Sequence, residues 1–174
     1  MKIELKNVMF SEAMSEETNA FTADLYINGK KVGYCKNTGQ GGCTDYHGDY
    51  SSNDATTKRN NALITEAEAY CKALPKTKWK QMEFAQSLES VIDDLLENWL
   101  EAKEVKKFEK KMLTCILVGS ADDNRNQYSY YNFKRPLSDF TPKQLQDSIS
   151  RIKTNLKAGQ VILNTNLEVL GVNV

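Results

Sequence analysis

The fold is decided first by residues 21–35, which read FTADLYINGKKVGYC. Apolar residues alternate with polar ones from Phe21 to Ile27, which predicts a strand with one buried face and one solvated face. Asn28 and Gly29 follow at once, and both residue types tolerate the positive φ angles of a type I′ turn. Residues 31–35 then resume the extended pattern. This stretch therefore predicts an antiparallel β-hairpin.

Further strands are expected on both sides of this hairpin. Residues 2–6 alternate as a first strand, and residues 112–118 form the continuous apolar run that is typical of a central strand. Residues 127–133 are rich in aromatic side chains and predict another strand, with a last short one at 161–163. The polar residues 120–126 between them predict a turn.

Three helices are expected from the apolar periodicity. The first covers residues 63–74 and stops at Pro75, and the longest covers residues 82–110. The third lies within residues 139–159, with Thr141 as N-cap in a capping box, Pro142 at the first helical position and Gly159 at its end. The longest helix has two faces, which are a buried stripe of Leu88, Ile92, Leu95, Trp99 and Ala102 and a solvated acidic stripe of Glu89, Asp93, Glu97 and Glu101.

The predicted order is β-β-β-loop-α-α-β-β-α-β. Because the strands occur in clusters and do not alternate strictly with helices, we expect an α+β fold. The chain is expected to form a single domain over residues 1–174, with a mostly antiparallel sheet and about three helices packed on one face.

Composition and charge narrow the function classes. The 174 residues carry 23 Lys and Arg against 23 Asp and Glu, so no net charge attracts nucleic acid or anionic lipid. No apolar run reaches the roughly 20 residues that span a bilayer, and no signal peptide is evident. We therefore expect a cytoplasmic protein whose cysteines are free thiols.

The segment from Asn37 to Thr57 is the main candidate for a binding site. It is rich in Gly, Asp and Ser, it lacks an apolar pattern, and long loops of this kind are often functional. Glycines after a strand let backbone amides approach an anion such as phosphate, although the Walker pattern is absent. The candidate ligand or partner contacts are Gly39, Gln40, Gly41, Gly42, Thr44, Asp45, Tyr46 and His47. The alternative is a connecting loop without a binding role.

Zinc and catalysis are the other hypotheses for this segment. Cys35, Cys43 and His47 are zinc-ligand types within thirteen residues, but their spacing matches no established finger and a fourth ligand is not evident. Cys43 with His47 as base would be the nucleophile of an enzyme, yet the glycines argue against the helical turn that would pair them. We expect neither a metal, a cofactor nor a catalytic residue.

The aromatic strand raises the question of nucleic acid. Tyr128, Tyr130, Tyr131 and Phe133 precede Lys134 and Arg135, and exposed aromatics beside positive charge stack bases in single-strand binders. Since strands favour aromatics in any case and the net charge is zero, a core or partner-facing strand is the preferred interpretation.

One resemblance bears on the biological setting. Residues 15–23, 28–33 and 39–42 resemble the start of small uncharacterised proteins from tailed phages and mobile elements. The resemblance implies a phage-encoded accessory protein in the host cytoplasm that counteracts a host defence by binding a protein or a nucleotide signal. It assigns no functional residue.

Together these observations predict a non-enzymatic binding protein that sequesters or inhibits a host protein through residues 37–57. The alternative is a nucleotide or other phosphorylated ligand held by the glycine-rich segment.

Overall fold

The computed structural model describes residues 1–48, 54–79, 82–120 and 127–173. It confirms an α+β fold with three α-helices, and every strand pair in the described residues is antiparallel. The chain divides into two compact units, Met1–Trp99 and Leu100–Val174, which are described separately below. The expected single domain stays a prediction.

A four-stranded sheet forms the framework of the N-terminal unit. Its strands are β1 (Ile3–Phe10), β2 (Phe21–Ile27), β3 (Lys30–Asn37) and β4 (Asp45–Gly48), and they lie in that order. The predicted hairpin is confirmed, because Asn28 and Gly29 have φ angles of 50° and 79° and Ile27 pairs with Lys30. The predicted dry face of β2 is also confirmed, with Phe21, Ala23, Leu25 and Ile27 all buried.

Strand β4 lies inside the segment that was expected to be loop from Asn37 to Thr57, so that expectation is wrong for Asp45–Gly48. Among the described residues, this short edge strand pairs only with β3. It has four residues with one large core-facing side chain, Tyr46, which is too few to show an alternation of apolar and polar residues in the sequence. Residues 49–53 of the same segment lie outside the described residues.

Helix α1 (Ala55–Lys72) begins eight residues before the predicted start. Its N-cap is Asp54, whose side chain accepts a hydrogen bond from the Thr57 backbone N–H at 2.8 Å. The helix packs against β2, β3 and β4, and it buries Ile64, Ala67 and Cys71. The first turn of this helix is polar, so the apolar periodicity in the sequence did not indicate a start at Ala55.

A small hairpin precedes the longest helix. Strands β5 (Thr77–Trp79) and β6 (Met82–Phe84) pair with each other, and α2 covers Leu88–Met112, so the prediction of helix from residue 82 is wrong. Ser87 and Ser90 exchange reciprocal backbone-to-hydroxyl hydrogen bonds of 2.9 and 3.0 Å, which fix the helix start there. Leu88 and Ile92 are buried as predicted, but Leu96 is buried instead of Leu95.

The C-terminal unit is built on β7 (Cys115–Ser120), which lies between β8 (Tyr128–Asn132) and β9 (Gln160–Ile162). Helix α3 (Pro142–Thr154) starts at the predicted capping box of Thr141 and Gln144, which is confirmed, but it ends five residues before Gly159. The predicted turn at 120–126 lies outside the described residues except for Ser120. The core contains Ile116, Val118, Leu137, Leu145, Ile149, Ile152, Leu167 and Val172.

Short 3₁₀ turns complete the chain at Glu12–Met14, Leu137–Asp139 and Glu168–Leu170. No helix in the described part of the chain has the length and apolar character needed to cross a bilayer.

Candidate functional site

The glycine-rich segment between β3 and β4 is an ordered turn held by the side chain of Asn37. Its Oδ1 accepts hydrogen bonds from Thr18 Oγ1 and the Gly39 N–H, both at 2.9 Å. Its Nδ2 donates to the Gly42 carbonyl at 3.0 Å and to Thr44 Oγ1 at 3.3 Å. The side-chain amide of Asn37 therefore connects Gly39, Gly42 and Thr44 of the turn with Thr18 of the loop before β2.

Gly39 joins this turn to the loop that precedes β2. Its carbonyl accepts backbone N–H groups from Glu16, Glu17 and Thr18, at 2.9, 2.9 and 3.3 Å. Gly39 has a φ of +88°, and a Cβ built on it would lie 2.1 Å from the Met14 carbonyl oxygen. Only glycine fits this position without displacing the backbone.

Thr44 connects the end of the turn to helix α2. Its backbone N–H donates to Glu89 Oε1 at 3.1 Å, and its hydroxyl donates to Asp93 Oδ1 at 2.6 Å. Thr44 is buried, and Glu89 and Asp93 lie one helical turn apart on α2. Two members of the acidic stripe that was expected to be a solvated face, Glu89 and Asp93, thus hold the turn in place. Glu97 and Glu101 of the same stripe are exposed.

A cavity of about 450 Å³ lies between the turn and α2. Its lining includes the backbone of Gly41 and Gly42 and the apolar side chains of Phe21 and Leu96. Four carboxylates also line it, and no lysine or arginine is found among its described lining residues. The four are Glu17, Glu89, Asp93 and Glu97. The arrangement suits a positively charged group.

The surroundings of Asp93 change the pKa of its carboxyl group. Partial burial raises the pKa of Asp93, and the negative charges of Glu89, Glu97 and Asp94 raise it further, against a lowering by the Thr44 hydrogen bond. A hydrogen bond to Glu89 raises the pKa of the Cys43 thiol at the rim. A cation in the cavity would relieve the repulsion in the charged state.

Replacing Asp93 by Asn is expected to stabilise the protein near neutral pH. The pKa of Asp93 in the folded state lies above the ordinary value of 3.8. The contribution of this carboxyl group to the free energy of unfolding is therefore fully present below pH 3.8 and is lost as pH rises through the raised pKa. Asn keeps an acceptor for Thr44 and carries no charge. We expect a melting temperature about 1–2 °C higher at neutral pH, after allowance for solvent screening, and no gain below 3.8.

Thermal melts of the wild type and of Asp93→Asn, from below pH 3.8 to neutral pH, test this expectation. Glu109→Gln removes an exposed carboxylate farther along the same helix, where its charge is not a cause of the raised Asp93 pKa, and serves as the control. A gain for Asp93→Asn that does not depend on pH would contradict the prediction.

The structure brings only some of the predicted contact residues to the cavity. Gly41, Gly42 and Thr44 line it, whereas Gly39 is a buried support and Gln40 is exposed beside it. Asp45, Tyr46 and His47 belong to strand β4 and are not among the described lining residues of the cavity. Alternate residues of a strand point to opposite faces, so Tyr46 lies on one face of β4 and Asp45 and His47 lie on the other. Tyr46 donates to Glu68 of α1 at 2.8 Å. Asp45 pairs across the ladder with Lys36.

His47 lies on the face opposite to Tyr46. Its ring is 5.3 Å from that of Tyr34, its cross-strand neighbour. Cys35 pairs with Tyr46 and is fully buried. His47 and Cys35 therefore point to opposite faces of the sheet, an arrangement that does not let them bind the same zinc ion. Within residues 1–48, 54–79, 82–120 and 127–173, no three His, Cys, Asp or Glu side chains are placed to hold a metal ion.

The cysteines are also poorly placed to act as nucleophiles. Burial raises the pKa of Cys35 to about 12, and a neighbouring carboxylate raises that of Cys43. Both changes lower the thiolate fraction, which is the reactive form.

Strand β8 of the C-terminal unit is an exposed edge and not a core strand. Tyr130 and Tyr131 are about half exposed, and only Tyr128 packs inward, edge-on to Phe108 at 5.2 Å. Lys111 Nζ lies 3.6 Å from the centre of the Tyr130 ring. The partner-facing interpretation of this strand stays a prediction.

Sequence reasoning missed the acidic half of the site. Glu89, Asp93 and Glu97 follow one another at four-residue intervals, a pattern that was visible but is shared by many solvated helices. Glu17 carried no sequence signal of its own. No family model, curated protein or solved structure matches the chain.

Proposed function

We propose that the protein is a non-enzymatic binding protein that captures a lysine or arginine side chain of a partner protein in the acidic cavity beside the 37–44 turn. The observation that carries this proposal is the convergence of four carboxylates on one cavity whose described lining has no basic residue. A host protein is the partner that the resemblance to phage proteins implies.

The order of the turn supports a binding role. Its backbone is held by Asn37, Gly39 and Thr44 before any ligand arrives, so little conformational entropy is lost on binding. Phe21 and Leu96 border the cavity but are only 4% and 2% exposed, so they offer an aliphatic stem little contact. A guanidinium or ammonium head would lie among the carboxylates.

The same carboxylates count against the phosphorylated-ligand alternative. A phosphate near Gly41 and Gly42 would meet Glu17, whose Oε2 lies so close that a Cβ on Gly41 would be 2.2 Å from it. Like charges at this separation repel strongly once water is excluded. A protein partner is therefore the stronger proposal.

The test uses fluorescein-labelled hexapeptides that differ only in a central Arg, Lys, Gln or Glu. Fluorescence anisotropy is expected to show saturable binding of the Arg and Lys peptides, weakened by salt, and none of the Glu peptide. Glu17→Gln combined with Glu97→Gln is expected to weaken binding about tenfold. These two rim residues are chosen because Glu89 and Asp93 also hold Thr44.

Glu66→Gln combined with Glu109→Gln removes two exposed charges outside the cavity and is the matched control. Equal binding of the Arg and Glu peptides would overturn the proposal. A higher melting temperature with nucleotides, in the absence of any peptide effect, would favour the phosphorylated-ligand alternative.

A further inference from the structure

A second concave surface lies entirely within the C-terminal unit, where α2 ends and β7 begins. This groove has a volume of about 690 Å³. Its walls are largely apolar, contributed by Leu113, Pro136, Leu137 and Leu170. Leu113 is 57% exposed, so its side chain is accessible on this surface. We call this surface the lysine-rimmed groove.

The rim of the groove is positively charged. Lys107, Lys110 and Lys111 occupy one face of the last turns of α2, at positions i, i+3 and i+4. No Asp or Glu is found among the described lining residues. Glu104, which lies one turn earlier on α2, pairs with Lys107 at 3.3 Å and offsets part of this charge. Lysines at a helix C-terminus complement the macrodipole, but that effect does not account for an open apolar groove beside them.

The chain itself displays a loop of complementary character. Residues 11–20, here the Met14 loop, carry exposed Glu12 and Glu16 on either side of Met14, which is 59% exposed. An apolar side chain flanked by carboxylates is complementary to an apolar groove that has lysines along its α2 side.

The Met14 loop is also preorganised. Ser15 Oγ donates to the Ser11 carbonyl at 2.7 Å and accepts from the Ala20 N–H at 2.9 Å. The Glu16 N–H is bound to the Gly39 carbonyl. A loop that is rigid before docking loses little entropy when it binds.

We propose that the lysine-rimmed groove receives the Met14 loop of a second copy of the chain. Met14 enters the apolar part of the groove, and Glu12 and Glu16 face the lysines. Because the two surfaces are different, the contact is head-to-tail and generates a ring or an open chain of subunits. This inference goes beyond the proposed function, because its contact residues Glu12, Met14 and Glu16 do not line the acidic cavity, although Glu17 of the same loop does.

Sedimentation velocity over a range of protein concentrations tests the proposal. The wild type is expected to associate reversibly in about 0.1 M salt and less so in about 1 M salt, because salt screens exposed charges. Reversal of two lysines (Lys107→Glu with Lys110→Glu) is expected to weaken association about tenfold, and Glu12→Lys with Glu16→Lys by a similar factor. Mixing the two double variants restores complementary charges and is expected to restore association.

Lys103→Glu with Lys106→Glu makes the same charge change on the same helix outside the groove and is expected to leave association intact. Far-UV circular dichroism confirms that each variant is folded. A wild type that stays monomeric at every concentration, or a mixture of folded variants that does not associate, overturns the proposal. Binding of a monomeric wild type to phosphatidylserine vesicles, or to an acidic peptide, would overturn it in favour of that occupant.

Discussion

Asn164→Leu is expected to lower the free energy of unfolding of the C-terminal unit by about 3–4 kcal/mol. Asn164 is 8% exposed and sits beside the central strand of that unit. Its Oδ1 accepts the Leu117 N–H at 2.7 Å, and its Nδ2 donates to the Cys115 carbonyl at 2.9 Å. The Met112 carbonyl lies within 3.4 Å of the same nitrogen. Leucine has a similar volume but cannot make the hydrogen bonds that Asn164 makes to the Leu117 N–H and the Cys115 carbonyl. The Met112 carbonyl keeps the hydrogen bond from Asn166 Nδ2 at 3.1 Å.

Chemical denaturation followed by circular dichroism measures the loss, and hydrogen exchange of the β7 amides locates it. Asn155→Leu is the matched control, because Asn155 is exposed and its side-chain Nδ2 donates to the Arg151 carbonyl at the end of α3. The control is expected to cost less than about 1 kcal/mol. Equal effects of the two substitutions would show that the buried amide has no special weight.

Gly39→Ala is expected to lower the free energy of unfolding by about 3 kcal/mol. The φ of +88° is strained for any L residue, and the new Cβ would lie 2.9 Å from Ala20 Cβ in addition to its clash with the Met14 carbonyl. Displacing Gly39 also disturbs its carbonyl, which holds three backbone N–H groups. The variant is therefore expected to bind the Arg peptide more weakly as well.

Gly42→Ala provides the control from the same turn. Gly42 does not have a positive φ, and a Cβ built on it meets nothing within 4 Å. We expect a change of less than about 0.5 kcal/mol. Thermal or denaturant unfolding of the two variants side by side decides the matter. If Gly39→Ala were as stable as Gly42→Ala, the turn would not have the rigidity that the proposed function assumes.

Much of the fold could be predicted from sequence because its signals are local. The Asn28-Gly29 turn and the Thr141 capping box each act over a few residues, and both are confirmed. Strand β4 and the start of α1 could not be predicted in this way. Both depend on pairing or capping contacts that polar residues make, and these leave no apolar period.

Only the glycine-rich turn of the candidate site could be predicted from the sequence, and the carboxylates that line the cavity could not. The glycines pointed to the turn, but the carboxylates come from a loop before β2 and from a helix more than forty residues later. Their convergence depends on the Thr44 hydrogen bonds to Glu89 and Asp93, which join residues 45 and 49 positions apart. Contacts at such separations are a property of the tertiary structure and cannot be read from spacing.

The distribution of the thiols has a practical consequence. Cys35, Cys71 and Cys115 are buried, and Cys43 is exposed on the rim of the acidic cavity. A maleimide dye should therefore label the wild-type chain at one position, with no need to engineer a cysteine. Because the Glu89 hydrogen bond raises the pKa of that thiol, labelling should proceed faster in mildly alkaline buffer. The attached dye would then report directly, through its emission, on whatever enters the cavity.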